Sequence, residues 1–345
     1  MPRMKAALLY GIKDLRIEEV EVPEIGPGEV LAKVKAATTC GTDVKMLGRG
    51  YVEDIISYPM PFGHEWSGIV TEIGPEVEEF HVGDRIRAGN SAPCYVCAMC
   101  AEAKYNLCIN RTWLWGAYAE YIKIPNEIVI RNSQTFPDEI GFEEAAVAEP
   151  LACVVHGSEK VGIGPGESVA IIGAGPIGLL HLQTARLKGA SRILVSDLVD
   201  ERLDVARRLG ADETINSQRE DLGSVSREMT NGLGVDVVIE SVGLPQTWMQ
   251  ALRLVKPGGR VLEFGGCPPG TSIEIDTELL HYDEVTVMGS FHATPEEFER
   301  ALSLIVDREI DVKSLITRKM RLDDLSKAFE ILSTSKTELK IAIEP

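Results

Sequence analysis

Gly173-Ala174-Gly175-Pro176-Ile177-Gly178 constrains this chain more than any other stretch. It follows the apolar run Ser168 to Ile172. It opens a segment, Pro176 to Leu187, whose apolar residues recur at helical spacing. Strand, glycine turn and helix in that order form a phosphate-cradling unit. The first glycine permits the tight turn, the second lets backbone approach a pyrophosphate, and the third allows close helix–strand packing. The helix N-terminus then presents free N–H groups to the anion, so this turn and its first helical residues, Pro176 and Ile177, are expected to bind a dinucleotide. Nineteen residues after Gly178, Asp197 closes the strand-like run from Arg192. A carboxylate there accepts hydrogen bonds from adenosine ribose hydroxyls and repels a 2′-phosphate, so NAD is expected over NADP. Arg202, on the helix that follows, is close enough either to complicate that preference or to stack over the adenine.

The alternation continues beyond this unit. Glu201 to Leu209 reads as an amphipathic helix, Val235 to Glu240 and Arg260 to Gly265 as strands, and Pro245 to Val255 as a helix between them. Strand, helix, strand, helix implies an α/β fold with a doubly wound parallel sheet. The first 150 residues are β-rich, and Gly-Pro or Pro-Gly pairs punctuate the chain at 26–28, 74–75 and 164–166. We expect a nucleotide domain over 153–288, inserted into a mostly β domain built from 1–152 and 289–345. Thirty-five Lys and Arg against 53 Asp and Glu leave a net charge of −18. That balance argues against nucleic acid or an anionic membrane as partner. Met1 to Lys5 leads straight into strand-like sequence with no apolar signal core. The uncharged run Ser168 to Ala185 is too glycine-broken for a membrane span.

Seven cysteines are present, and four of them, Cys94, Cys97, Cys100 and Cys108, crowd into a lobe over 90–110. That is metal spacing rather than a disulfide framework, so a reducing cytoplasm is expected. Four thiolates close a tetrahedral zinc site with no open position, which makes the site structural. An iron–sulfur cluster fits the spacing too. A nucleic-acid zinc ribbon would need more basic neighbours than Lys104 and Arg111. Elsewhere, Cys40-Gly41-Thr42-Asp43, Gly63-His64-Glu65 and Glu149-Pro150-Leu151 stand apart in sequence. Alone, each is ordinary: a small buried thiol, a core histidine, an acid at a helix start. Together they offer thiolate, imidazole and carboxylate, a catalytic zinc set with room left for substrate.

These motifs, in this order and over essentially the whole length, resemble the zinc-dependent medium-chain dehydrogenases, within them the sorbitol (polyol) and threonine dehydrogenase branch. The resemblance implies a GroES-like catalytic domain plus a Rossmann domain, and two zinc ions per chain. It implies that Cys40 and His64 hold the catalytic zinc with Glu65 or Glu149, the two carboxylates exchanging between metal and a bound water. Thr42 would take the alcohol proton. Lys45 stands where the family commonly has a histidine relay, so either burial lets it move a proton, or water replaces the relay, or it binds an anionic group of the substrate. Ser290 and Phe291 lie on the return strand whose backbone flanks the nicotinamide. Trp113, Trp115 and Tyr118 fall where the family lines its substrate cleft, or else fill the β-domain core. The expected reaction is NAD-dependent oxidation of a secondary alcohol on a polyol, sugar alcohol or cyclitol. The alternatives are oxidation of L-threonine and a catalytically silent nucleotide-binding relative. A homotetramer paired through the Val285 to Phe291 edge is also implied.

Overall fold

The computed structural model describes residues 2–50 and 57–345. The chain divides into two compact units. One comprises Met1–Ala152, Ala293–Arg308 and Leu315–Pro345, and the other Cys153–His292 with Glu309–Ser314.

The second unit is built on a six-stranded parallel sheet. Its order is Glu213–Asn216, Arg192–Asp197, Ser168–Ile172, Val235–Glu240, Val255–Glu263, Thr286–Gly289. Its central strands are near-continuous apolar runs because both faces are covered: Val169, Ile193, Leu194, Val237 and Val238 have no exposed surface. The chain starts at a central strand, runs outward to Glu213–Asn216, then crosses to the other side. The crevice for a ligand therefore opens at the carboxyl ends of Ser168–Ile172 and Val235–Glu240. The helix Pro176–Leu187 begins there, with Pro176 in its first turn and Gly175 as its N-cap. Gly173 has φ +102, and a Cβ on Gly178 would fall 1.8 Å from the Gly173 carbonyl, so these two positions accept only glycine.

Two elements of this unit exceed the sequence reading. The strand Glu213–Asn216 and the helix Leu222–Met229 fill the interval that the pattern left open. The helix expected over Pro245 to Val255 ends at Ala251, because Val255 already pairs with Val235 as the next strand begins. A register shift follows at Gly258-Gly259, where the close approach of the Asp236 carbonyl leaves no space for a side chain on Gly259.

In the first unit, Val30–Thr38 is the organising strand. It pairs antiparallel with Trp66–Ile73, Tyr121–Ile124 and Lys340–Glu344, and the sheet extends to Ser133–Thr135 on one side and Ile316–Arg321 on the other. Register shifts after Leu31 and Val34 let one strand serve three neighbours. Arg3–Gly11 forms a smaller sheet with Asp14–Glu21 and Met60–Pro61. Phe62, Trp66, Ile86, Ile124, Tyr118 and Phe329 pack in the core between them. Cys97, Cys100 and Cys108 cluster apart from it. Among the described residues, no helix is long and apolar enough to cross a membrane.

Candidate active site

The four-cysteine lobe has the geometry of a tetrahedral metal site. Sulfur–sulfur separations are 3.5 Å for Cys94–Cys108, 3.6 Å for Cys97–Cys100, 3.8 Å for Cys97–Cys108 and 4.0 Å for Cys94–Cys100. Thiolates ~2.3 Å from a zinc ion at tetrahedral angles lie about 3.8 Å apart, so the residues fit that ion. Backbone N–H groups of Cys94 and Cys97 donate to the sulfurs of Cys108 and Cys94, at 3.2 and 3.3 Å. The Cys97 thiol is drawn down to about 6, first by the N–H of Cys100, whereas burial pushes Cys100 up to about 12. Without a cation the four sulfurs cannot all be thiolates; with one they can. The lobe has no aliphatic core of its own, so the metal does the work of one.

The second site gathers residues that are far apart in sequence. Cys40 caps the helix Gly41–Arg49, and its sulfur accepts the N–H of Thr42 at 3.4 Å. His64 and Glu65 enter just before the Trp66–Ile73 strand. Ligand atoms of Cys40, His64 and Glu65 lie within 4.8 Å of one another. His64 Nδ1 sits 3.1 Å from Asp43 Oδ1, which leaves Nε2 as the nitrogen open to a metal. Burial would lower the His64 pKa, but the Asp43 and Cys40 charges raise it well above its ordinary value. Asp43 is held in turn by the Cys40 N–H at 3.1 Å and the Tyr118 hydroxyl at 2.7 Å.

Glu65 is fully buried, and its Oε2 accepts from both the Thr38 hydroxyl and the Lys340 ammonium. Lys340 is 2 % exposed and also donates to the Thr39 carbonyl at 2.8 Å. Burial lowers its pKa, but the Glu65 charge overcomes that and raises it. The other oxygen, Glu65 Oε1, is buried with no partner. A thiol, an imidazole and a glutamate with one buried, unpaired oxygen form a donor set that fits zinc. Glu149 is 6 % exposed, in the first turn of the Ala148–Val161 helix, and accepts a hydrogen bond from Asn90 Nδ2 at 2.8 Å. Burial first, then the neighbouring Glu65, raises its pKa to about 7 against the pull of His64, Lys340 and Arg87.

The aromatic segment divides. Tyr118 is fully buried and belongs to the core, bracing Asp43. Trp113 and Trp115 are half-buried and stacked at 5.8 Å, and the Trp115 ring meets His64 edge-on at 5.5 Å. Thr42 and Lys45 lie on the helix that Cys40 caps, both half-buried. Asp43, Asn90 and Lys340 are site residues that sequence reasoning did not assign. Asp43 stood inside a quoted motif, whereas a lysine in a C-terminal strand carries no signal of burial.

In the nucleotide unit, Gly173 to Gly178 lie at the carboxyl end of the Ser168–Ile172 strand as expected. Asp197 Oδ2 accepts the Ala174 N–H at 2.7 Å, and Oδ1 accepts those of Leu198 and Val199 at 2.7 and 3.0 Å. Its charge is thereby fixed beside the turn. Arg202 is half-buried on Asp200–Arg208. Ser290 Oγ is buried with no hydrogen-bond partner, and Phe291 is 42 % exposed.

A parallel sheet with a dinucleotide turn, a four-thiolate lobe and a Cys-His-Glu set together define a zinc-dependent dehydrogenase. Comparisons with known proteins agree. The model of the alcohol dehydrogenase GroES-like domain matches residues 26–134, and that of the zinc-binding dehydrogenases matches 176–307. The chain is 32% identical to the sorbitol dehydrogenase of Bacillus subtilis, covering 99% of this chain and 97% of that one. It is 35% identical to the L-threonine 3-dehydrogenase of Pyrococcus abyssi, covering 97% and 95%. A solved zinc-binding dehydrogenase from Sinorhizobium meliloti, bound to NADP, superposes with a TM-score of 0.92 at 32% identity over 100% of both chains. The chain belongs to the zinc-binding medium-chain dehydrogenase family, in its polyol and threonine branch. It is an oxidoreductase that acts on CH–OH groups with a nicotinamide dinucleotide.

Proposed function

We propose that this protein oxidises a secondary alcohol of a small polyol, sugar alcohol or cyclitol to a ketone, with NAD as acceptor. The observation that carries the reading is the convergence of Cys40, His64 and Glu65, together with the buried, unpaired Glu65 Oε1. Cys40, His64 and Glu65 Oε1 would hold the catalytic zinc. Glu149, held by Asn90, is the outer carboxylate that orders a water or the substrate hydroxyl. Bound zinc supplies Lewis acidity, which brings the hydroxyl pKa toward neutrality. Thr42 accepts the hydroxyl proton and passes it outward, while Asp43 and Tyr118 keep the His64 ring in place. Lys45 meets an anionic or strongly polar group of the substrate. Trp113 and Trp115 wall the metal-ligand set on the His64 side. Asp197, fixed by three backbone N–H groups, favours NAD by repelling a 2′-phosphate; Arg202 stacks over the adenine, and Ser290 and Phe291 border the nicotinamide. Two zinc ions per chain complete the protein. The edge strand Thr286–Gly289 joins copies into a homotetramer, which sedimentation checks.

The deciding experiment assays polyols, cyclitols, L-threonine and simple alcohols with NAD and with NADP. Fastest turnover of a polyol or cyclitol with NAD is the expected result. Fastest turnover of L-threonine would move the substrate to the amino-acid reading, which the Pyrococcus abyssi relative supports. A preference for NADP would overturn the Asp197 argument.

A further inference from the structure

Two glutamates stand side by side at the mouth of the nucleotide crevice. Glu240 closes the Val235–Glu240 strand, Glu263 closes Val255–Glu263, and the two are partners in register. Partners in parallel strands point to the same face of the sheet. Glu240 is fully buried and Glu263 is 3 % exposed.

Their partners differ sharply. The Glu240 carboxylate accepts the N–H groups of Val242 at 2.8 Å and Gly243 at 2.9 Å. Both carboxylate oxygens of Glu263 are buried with no partner. The charge acting on Glu263 is that of Glu240, and burial with that charge pushes its pKa up to about 8. Among the described residues no cation offsets it: His181, on the helix Pro176–Leu187, meets the Phe264 ring at 4.7 Å and is kept neutral by burial, and on Ala148–Val161 His156 is half-buried and Lys160 exposed. The strands Ser168–Ile172, Val235–Glu240 and Thr286–Gly289, the helix Pro245–Ala251 and the segment 264–276 contain no Lys, Arg or His. Lys256 and Arg260, on its own strand, are paired with Asp236 and Glu167. On the next helix, Thr277–His281, His281 is exposed.

Glu240 also ties two loops to the cofactor turn. Its backbone carbonyl accepts the N–H groups of Phe264 and Gly265, at 3.0 and 2.9 Å. The loop that its carboxylate shapes carries Ser241, whose hydroxyl donates to the carbonyls of Ile172 at 2.8 Å and Gly173 at 3.2 Å. A Cβ on Gly265 would lie 2.3 Å from the Gly243 nitrogen, so the two loops are in close contact.

We propose that Glu263 is held as a neutral acid beside the Glu240 carboxylate, and that this pair positions the 241–243 and 264–266 loops for the nucleotide. Loss of the proton leaves two adjacent buried anions, which separate the loops and weaken cofactor binding. Glu263 is thus a positioning residue, and its role rests on the nucleotide reading above.

The test uses the full-length, zinc-loaded protein. NAD affinity is measured by calorimetry from about pH 6.5 to about pH 9.5, and the infrared spectrum is followed over the same range. Wild-type affinity should fall roughly tenfold per pH unit above about pH 8, together with loss of a protonated carboxyl band. In Glu263→Gln, a neutral isostere of the acid, that band should be missing and the alkaline loss should vanish, while neutral-pH affinity is retained. An alkaline loss that persists in Glu263→Gln, or a wild-type spectrum without a titrating acid band, overturns the proposal. Failure of the wild type to bind NAD or NADP at neutral pH would sink the nucleotide reading and the positioning role with it. The infrared band would then decide the protonation of Glu263 by itself.

Discussion

Replacing Lys340 with Met tests the electrostatics of the catalytic site most directly. The substitution keeps the length of the side chain and removes its charge, leaving the fully buried Glu65 carboxylate with only the Thr38 hydroxyl. Removing one partner of a buried ion pair costs about 3–5 kcal/mol, because the remaining charge stays desolvated and uncompensated. For a unit of roughly 200 residues, each kcal/mol shifts the midpoint by about 2–4 °C, so metal-free Lys340→Met should unfold about 10 °C below wild type. Adding Glu65→Gln removes the stranded charge and should restore at least about 2 kcal/mol, a coupling that a double-mutant cycle reads directly. Zinc should narrow the gap for the single variant, since a cation at Cys40 and His64 supplies the missing positive charge. The measurement is thermal and denaturant unfolding of chelated and zinc-loaded protein. A loss below about 1 kcal/mol in the single variant, or no recovery on adding Glu65→Gln, would refute the account of Lys340 as the counter-ion of Glu65.

Other perturbations reach the remaining features. Gly178→Ala drives a Cβ into the Gly173 carbonyl at 1.8 Å; it should cost at least about 1–3 kcal/mol and abolish nucleotide binding, as calorimetry would show. Cys97→Ser should reduce zinc from about two ions per chain to about one by elemental analysis, with a lower unfolding temperature. His181 is fully buried, with Ser158 Oγ 3.3 Å from its Nδ1, and burial lowers its pKa to about 3. The unfolded chain protonates this side chain near pH ~6.5 and the folded one does not, so stability is lost as pH falls from ~6.5 toward ~3. The slope should approach ~1.4 kcal/mol per pH unit from this group, and His181→Gln should flatten it in denaturant titrations.

Much of the nucleotide unit could be read from the chain because its strands are uninterrupted apolar runs bounded by glycine. Ser168–Ile172, Arg192–Asp197, Val235–Glu240 and Pro176–Leu187 occupy the expected residues. Glu213–Asn216 escaped because Ile215 is its one large apolar residue, and the tertiary ladder to Leu194–Asp197 makes it a strand. The thiols and His64 were legible as donor types. Lys340 and Glu263 were not, because a charged residue in a strand reads as solvated and local sequence cannot reveal that both faces are covered. Asn90 is positioned by a carbonyl that accepts the Leu114 N–H at 2.8 Å, a contact with no local signature.

The strand Lys340–Glu344 sits inside the larger sheet, between Val30–Thr38 and Ile316–Arg321. Lys340 and Glu65 are 275 residues apart in the chain. At synthesis rates of ~5–20 residues per second, Glu65 waits on the order of 15–55 s on the ribosome before its counter-ion is made. A chain broken off anywhere in between has Cys40, His64 and Glu65 but neither the Lys340–Glu344 strand nor the lysine. Completion of the larger sheet is therefore deferred until translation is nearly finished, and a prematurely terminated product should expose an unzipped sheet edge to the proteolytic machinery.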